Sequence, residues 1–156
     1  MYLDSSKYFA DSKRLTLAGA KKMMESVTAG AEKAGHAVAA AIVDAGGNAV
    51  LVQRMDGGRF HTVHSCTTKA VCAASNKRPT TMKGAAGQVL DSTRALGLSL
   101  AAGADRWTAM EGGYPIIVGG ECIGGIGVSG GTWEFDDRVA REALASIGAT
   151  FKIDDK

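Results

Sequence analysis

The first part of the chain shows a clear helical pattern of apolar and polar positions. From residue 16 to residue 34, apolar side chains recur every three or four positions, and the charged ones fall between them. This spacing places the apolar side chains on one face and predicts an amphipathic helix. Thr16 is a suitable N-cap for this helix, and Gly35 is a suitable stop.

Two pairs of short apolar runs are each joined by glycines, and each pair predicts a β-hairpin. The runs are residues 37–44 with 49–55, and residues 114–118 with 121–129. The first pair flanks Ala45-Gly46-Gly47-Asn48 and the second flanks Gly119-Gly120; glycine supplies the positive φ angles that a tight turn requires. Consecutive hairpins, rather than strand–helix–strand crossovers, predict an antiparallel sheet.

A second helix is predicted over residues 62–76, and its lack of charge is unusual. Lys69 is the only charged residue between Thr62 and Ala74. A helix without a charged face is normally buried on more than one side. In a chain of this size, we expect the second covering surface to come from another subunit.

The rest of the chain adds further helical patterns. Residues 132–147 carry apolar side chains at helical spacing and form the last predicted helix. Residues 81–90 predict a short helix, and residues 91–104 leave the choice of element open. No linker divides the chain, so residues 1–156 are interpreted as one α/β (α+β) domain.

Composition narrows the classes of function. The chain has a formal charge of +2 and no block of basic residues, which argues against a nucleic-acid partner. No apolar run is long enough to span a membrane, and residues 1–6 do not resemble a signal peptide. The three cysteines lack a CxxC spacing; they are Cys66, Cys72 and Cys122. Together these features predict a cytoplasmic protein with free thiols.

Glycine is concentrated in residues 111–137, and several of these glycines fall where glycine is unfavourable. Gly124, Gly125 and Gly127 lie inside a predicted strand. Their presence predicts that a helix, another chain or a ligand approaches this backbone closely. The run from Gly125 to Gly130 fits the pattern GxGxxG, but it follows a hairpin rather than opening a strand–helix–strand unit. We therefore reject a dinucleotide-binding fingerprint.

The same segment ends where the last helix begins, and this junction is a candidate anion site. Free backbone amides at a helix start favour a carboxylate or a phosphate. The candidate ligand-binding residues are Ser129, Gly130, Gly131 and Thr132. Glycine used only for packing and turns is the equally weighted alternative.

His61 and His64 form an HxxH pair at the start of the second predicted helix. Two imidazoles at this spacing can share a metal ion, or one of them can ligate haem iron. A metal site usually includes a third, distant ligand, which the sequence does not identify, so no metal site is predicted. Surface histidines without a ligand role are the alternative of equal weight.

A few further polar residues and glycines lie where loops are expected to gather. Glu111 stands beside Gly112 and Gly113, and Arg54 and Arg59 lie near the end of the first hairpin. The arginines are candidates for binding a substrate carboxylate, Gly112 and Gly113 are candidate ligand-binding positions, and Glu111 or His64 is a candidate general base. Solvated side chains without a function are the alternative.

Asp136 falls on the inward face of the last predicted helix. A buried carboxylate needs a partner or a raised pKa. Lys69, the single charge of its helix, is the natural partner, and we expect the pair to be a structural link rather than a catalytic pair. The alternative is that Asp136 serves only the N-terminus of its helix.

Three segments of the chain resemble the GlcG and HbpS-like haem-degrading family, which also includes the C-terminal domain of PduO-type corrinoid adenosyltransferases. They are residues 42–48 with 54–57, residues 68–70 with 78–80, and residues 112–116 with 124–131 and Asp136. The resemblance implies a profilin-like three-layer α/β/α fold with a five-stranded antiparallel sheet. It also implies homo-oligomers, dimers or octamers, and haem binding or degradation in some members. Residues 61–66, Trp107 and Trp133 depart from the family pattern.

Three hypotheses of function follow. The first is a protein that binds or degrades haem or a related tetrapyrrole, with His64 or His61 as the axial ligand. The second is a cofactor-independent isomerase, tautomerase or hydrolase acting on a small carboxylated catabolite. The third is an oligomeric scaffold without a small ligand. Haem is the only cofactor these hypotheses name.

Overall fold

The structure of the protein is a computed structural model that describes residues 7–153. These residues contain four helices and four strands. In chain order they are α1 (Leu17–Ala34), β1 (Ala39–Asp44), β2 (Ala49–Arg54), α2 (Thr62–Asn76), α3 (Ser92–Ala102), β3 (Gly113–Val118), β4 (Glu121–Ser129) and α4 (Trp133–Ser146). Residues 1–6, where no signal peptide is expected, lie outside the described residues. Within residues 7–153, no helix combines the length and apolar character that crossing a membrane requires.

The local signals in the sequence set the ends of the first elements. The Thr16 hydroxyl accepts a hydrogen bond from the Gly19 amide at the start of α1, and Gly35 ends the helix with a φ of 73°. The turn between β1 and β2 is held by Asp44, whose Oδ1 accepts hydrogen bonds from the amides of Gly46 and Asn48, both at 2.9 Å. The predicted helix and hairpin are confirmed.

The strands form one antiparallel sheet in the order β2–β1–β4–β3. The prediction of an antiparallel sheet is confirmed, but the prediction of five strands is wrong for the described residues. After α4 the chain returns to the free edge of β3 and makes a single bridge, in which Ile117 and Thr150 exchange hydrogen bonds of 2.8 and 2.9 Å. One bridge is too short to form a fifth strand.

The helices cover the sheet on both faces, which gives three layers. Helices α1 and α4 pack together on one face over large apolar side chains such as Met23, Ile42 and Ile126. Helix α2 covers the other face, where the buried side chains are small; they are Ala39, Ala41, Val43, Cys66, Ala70 and Ala74. Small side chains allow α2 to lie very close to the sheet.

The glycines inside β4 are explained by this close approach. A Cβ at Gly125 would overlap the carbonyl oxygen of Ala70, and a Cβ at Gly127 would overlap that of Cys66. Both carbonyl groups belong to α2. Of the three candidates for the close neighbour, the structure shows that a helix of the same chain fills that place at Gly125 and Gly127.

Two predictions between α2 and β3 are settled by the structure. The short helix expected over residues 81–90 is wrong, because the chain turns back on itself there. Gly87 has a φ of 82°, Lys83 bridges Val89, and the Leu90 amide donates to the Met82 carbonyl oxygen at 2.9 Å. Residues 91–104, for which the sequence did not decide between helix and strand, contain helix α3. This helix packs against none of the other described helices or strands.

Candidate functional site

A large cavity follows the outer side of α2. Its volume is about 850 Å³, and it lies between α2, the β1–β2 turn and residues 102–107. A smaller cavity of about 280 Å³ adjoins it beneath α3. His64 and Trp107 line both cavities. We call the two adjoining cavities the α2 cleft.

The walls of the α2 cleft combine apolar, aromatic and charged groups. On the α2 side, the larger cavity is lined by His64, Thr67 and Val71, and on the opposite side by Arg106 and Trp107. The smaller cavity is lined mainly by small and apolar side chains, which include Ala95, Ala104, Ala109 and Met110. An imidazole, an indole and a guanidinium group therefore face one space of ligand size.

The uncharged outer side of α2 is covered in part by the chain itself. Thr68 and Cys72 are buried there, and the Cys72 thiol donates to the carbonyl oxygen of Thr108 at 3.6 Å. Burial raises the pKa of the Cys72 thiol. The expectation that another subunit supplies this second cover is therefore corrected at Cys72, where residues 104–110 of the same chain supply it.

Lys69 and Asp136 lie together in the interior, next to the smaller cavity. The Lys69 ammonium donates to the Val128 carbonyl oxygen at 2.7 Å and lies 3.5 Å from Oδ2 of Asp136. Both side chains are almost fully buried. Burial lowers the pKa of Lys69 and raises the pKa of Asp136, and the attraction between the two charges opposes both shifts.

Gly112 makes room for this ion pair. It has a φ of 110°, and a Cβ at this position would lie 3.1 Å from the Lys69 ammonium and 3.1 Å from the Asp136 Cβ. Gly113 is similarly constrained, because its amide donates to the Thr80 hydroxyl at 2.9 Å and a Cβ would meet the same side chain. These two glycines thus serve packing in the described structure, whereas a contact with a ligand stays a prediction.

The candidate anion site at the start of α4 already holds a carboxylate of the chain. The Gly131 amide donates to Oδ1 of Asp136 at 3.0 Å, and the Phe135 amide donates to the Thr132 hydroxyl at 3.2 Å. A Cβ at Gly130 would lie 3.0 Å from the Ala37 carbonyl oxygen. The Ser129 hydroxyl is buried and has no hydrogen-bond partner among the described residues.

The other candidate residues are spread around one end of the sheet. Ala39 pairs with Arg54 on one side and with Ser129 on the other, so these two lie at the same end. Arg54, Arg59 and His61 are exposed, and the His61 ring lies edge-on to Phe60 with 5.9 Å between the centroids.

The α2 cleft includes His64 but not the other candidates for chemistry. Glu111, Arg54, Arg59 and His61 are not among the described residues that line it. The described residues also contain no group of three or more His, Cys, Asp or Glu side chains placed to hold a metal ion. The structure therefore separates His64 from Glu111 rather than placing both candidate bases in one cleft.

Sequence reasoning missed Arg106 as part of the site and did not include Trp107 among the candidate site residues. Both lie in the irregular segment between α3 and β3, where no periodic pattern predicts a direction for a side chain. Trp107 did stand out as a departure from the family pattern. A large aromatic residue in a short irregular segment was the one available signal.

Comparison with known proteins gives a consistent result. A profile described as haem-degrading protein HbpS-like matches residues 15–145. An uncharacterised 15.0 kDa protein of Citrobacter freundii, from the dhaT-dhaS intergenic region, is 37% identical over 134 residues, which is 83% of this chain and 89% of that protein.

Two crystal structures are similar along nearly the whole chain. Protein ORFY of Klebsiella pneumoniae has 35% identity and a TM-score of 0.76, covering 88% of this chain and 93% of that chain. The PduOC:haem complex has 26% identity and a TM-score of 0.76, covering 89% of this chain and 99% of that chain.

Proposed function

We propose that this chain, which belongs to the family of HbpS-like haem-degrading proteins, binds haem or a related tetrapyrrole in the α2 cleft. The observation that carries the proposal is the position of His64. Its side chain is exposed on α2 and lines both cavities of the cleft. An imidazole at the border of a ligand-sized cavity is a suitable axial ligand for haem iron.

The size and lining of the cleft support a large planar ligand. Its larger cavity, of about 850 Å³, lies within the range of roughly 300–1,000 Å³ typical of ligand pockets. Trp107 offers an aromatic surface for a macrocycle, and Thr67 and Val71 offer an uncharged wall on α2. Arg106 offers a guanidinium group that pairs well with a carboxylate such as a haem propionate.

In this proposal each residue has a distinct task. His64 would hold the iron through a ring nitrogen, Trp107 would contact the macrocycle, and Arg106 would bind a propionate. When bound, the haem supplies a redox-active iron whose properties depend on its axial ligand and on the polarity around it. The similarity to the PduOC:haem complex supports the choice of ligand.

We also infer that the protein is a homo-oligomer, a dimer or an octamer. The support comes from apolar side chains that the single chain leaves exposed, above all Leu96 and Leu100 on α3. Exposed apolar surface of this kind marks a site of association.

Titration with haemin tests the proposal. We expect the wild-type protein to give a shifted and sharpened Soret band that saturates at one haemin per binding site, and we expect His64→Ala to lose it. His61→Ala is the matched control, because His61 is also exposed near the start of α2 but does not line the cleft. A wild-type protein that leaves the haemin spectrum unchanged at micromolar concentration refutes the proposal.

Degradation of haem is a separate outcome of the same experiment. We expect any turnover to appear as a time-dependent loss of the Soret band when a reductant and oxygen are added to the loaded protein. His64→Ala and free haemin provide the background rate. A stable band under these conditions restricts the function to binding.

A further inference from the structure

Two side chains of the proposed ligand site, Arg106 and Trp107, belong to residues 104–110, which we call the wall segment. This segment lines the α2 cleft but is part of no helix or strand, so no regular hydrogen-bond ladder fixes its position. The preceding helix α3 gives little support, because none of its residues is buried and it packs against no other described helix or strand. The position of the wall segment therefore depends on a few individual contacts.

The hydrogen bonds of the wall segment identify the most important of these contacts. The Arg106 amide donates to the neighbouring Gly103 carbonyl oxygen at 3.0 Å, and the Met110 amide donates to the Thr108 hydroxyl at 3.1 Å. Neither bond reaches another element. The Cys72 thiol of α2 donates to the Thr108 carbonyl oxygen at 3.6 Å. Of the hydrogen bonds among the described residues, only this one joins the wall segment to α2.

The Cys72 thiol makes this bond from inside the protein. Its side chain is buried and is not among the described groups that line the cleft. Its sulfur accepts a hydrogen bond from the side-chain amide of Asn76 at 3.6 Å, and Asn76 lines the larger cavity. Burial raises the pKa of the Cys72 thiol, so at neutral pH the thiol keeps the proton that it donates. One buried thiol thus connects Asn76, on α2, with the wall segment on the other side of the cleft.

We propose that Cys72 is a positioning residue for the α2 cleft, because its thiol holds the Thr108 carbonyl group and thereby sets the place of Trp107. Trp107 directly precedes Thr108, and Arg106 lies one residue further back. A shift of this backbone therefore moves the indole and the guanidinium group together. The effect on a ligand rests on the proposed function, whereas the hold on the wall segment does not.

Ligand binding and the bond from Cys72 are expected to favour each other. A ligand that contacts both α2 and the wall segment keeps the two together, and in that arrangement the thiol is buried. In the free protein, the thiol becomes accessible whenever the wall segment opens locally. By linkage, a bond that strengthens ligand binding is itself strengthened by the ligand to the same degree.

Haemin titration of two alanine variants tests the effect on the ligand. Cys72→Ala removes the donor, and we expect it to weaken haemin binding about fivefold, the usual effect of losing one hydrogen bond. Cys66→Ala is the matched control, since Cys66 is also a buried cysteine of α2 but its thiol donates within the helix, to the Val63 carbonyl oxygen at 3.3 Å. This control should keep the wild-type affinity.

Cys72→Ser separates positioning from packing. A hydroxyl group donates and accepts as the thiol does, whereas alanine does neither. The loosely held wall segment can move by the short distance that the smaller oxygen requires. We expect Cys72→Ser to recover most of the affinity that Cys72→Ala loses. Equal losses in the two variants, or wild-type affinity in Cys72→Ala, overturn the proposal.

Tryptophan fluorescence tests the hold on the wall segment without a ligand. In a Trp133→Phe protein, the half-buried Trp107 is the remaining tryptophan. Adding Cys72→Ala is expected to shift its emission to longer wavelength and to increase its quenching by acrylamide. Adding Cys72→Ser or Cys66→Ala should change neither. Unchanged emission and quenching in the protein with Cys72→Ala overturn the proposal.

Labelling with N-ethylmaleimide tests the linkage in the wild-type protein, with mass spectrometry to follow each cysteine separately. Saturating haemin is expected to slow the labelling of Cys72. Cys122 is the internal control, because it is only half-buried on β4 and is not among the described residues that line the cleft. Its rate should stay the same. An unchanged rate at Cys72 contradicts the proposed linkage.

The two proposals fail in different ways. If the wild-type protein takes up no haemin, the proposed function fails, and the fluorescence of Trp107 alone decides whether Cys72 holds the wall segment. If the wild type binds haemin but Cys72→Ala binds it as tightly and leaves the emission of Trp107 unchanged, the proposed function stands and the positioning role of Cys72 is refuted.

Discussion

The Lys69 ammonium lies 3.5 Å from a carboxylate oxygen of Asp136, and this contact joins two helices on opposite faces of the sheet. Lys69 belongs to α2 and Asp136 to the first turn of α4. Gly112, between α3 and β3, leaves room for this contact, because a Cβ there would lie only 3.1 Å from the ammonium group. The pair thus links the outer layers of the fold beside the α2 cleft.

Replacing Lys69 with Met is expected to lower the free energy of unfolding by about 3 kcal/mol, because it leaves the buried Asp136 carboxylate without its counter-charge. Urea unfolding at pH 7 measures the loss. Arg138→Met is the matched control, because Arg138 pairs with Glu142 at 3.1 Å on the exposed side of α4; its cost should stay below about 1 kcal/mol.

Asp136→Asn completes a double-mutant cycle. The neutral amide can still accept the hydrogen bond from Gly131 but no longer needs the ammonium group. The double variant with Lys69→Met should therefore lose at least about 1 kcal/mol less than the sum of the single losses. Additive losses would show that the two charges are not coupled.

Gly127→Ala is expected to destabilise the protein severely, by about 3 kcal/mol or more, because the new Cβ would overlap the backbone of α2 at Cys66. Thermal unfolding, or failure to obtain folded protein, measures the effect. Gly19→Ala in α1 is the control, since a Cβ there makes only ordinary van der Waals contacts, the nearest at 3.4 Å from Leu15; it should be neutral or stabilising by about 1 kcal/mol. Equal stability of the two variants would contradict the observed packing of α2 on β4.

Stability is expected to fall with rising pH above about pH 9 because of Cys66. Burial raises the pKa of this thiol from its ordinary value of 9.0 to about 11, and the nearby Lys69 ammonium only partly opposes the shift. The folded state therefore keeps a proton that the unfolded state loses, so the contribution of Cys66 is complete below pH 9 and declines above it.

The size of this effect follows from the shift in pKa. Between pH 9 and pH 10, Cys66 should remove about 1 kcal/mol from the free energy of unfolding. Urea unfolding of the wild type and of Cys66→Ala over this pH range measures it. The variant should show the shallower decline, and parallel declines would assign the pH dependence to other groups.

Trp107 is expected to report on the ligand. In a Trp133→Phe protein, Trp107 is the remaining tryptophan, and haemin should quench most of its fluorescence because it lines the cleft. In Trp107→Phe, the remaining Trp133 is 60% exposed at the start of α4, outside the cleft, and should be quenched less. Stronger quenching of Trp133 than of Trp107 would place the ligand near the start of α4 rather than in the α2 cleft.

Much of the fold follows from local patterns. The helical spacing over α1, α2 and α4, and the glycine turns of both hairpins, predict these elements and the antiparallel sheet because each depends on near neighbours in sequence. The same reasoning fails over residues 81–90, where Gly87 needs a left-handed conformation. The fifth strand was implied by the family resemblance rather than by local patterns, and in the described residues the pairing at Thr150 is only a single bridge.

By itself, the sequence predicted that Lys69 is the single charge of its helix, that Asp136 faces inward and that glycines in β4 need a close neighbour, because burial and close packing restrict composition directly. Only the tertiary structure decided that the neighbour is α2, that His64 shares a cleft with Arg106 and Trp107, and that Glu111 does not line it. The path of residues 103–110 across α2 carries no periodic signal, since it depends on contacts such as that of Cys72 with Thr108, which form only when the chain has folded.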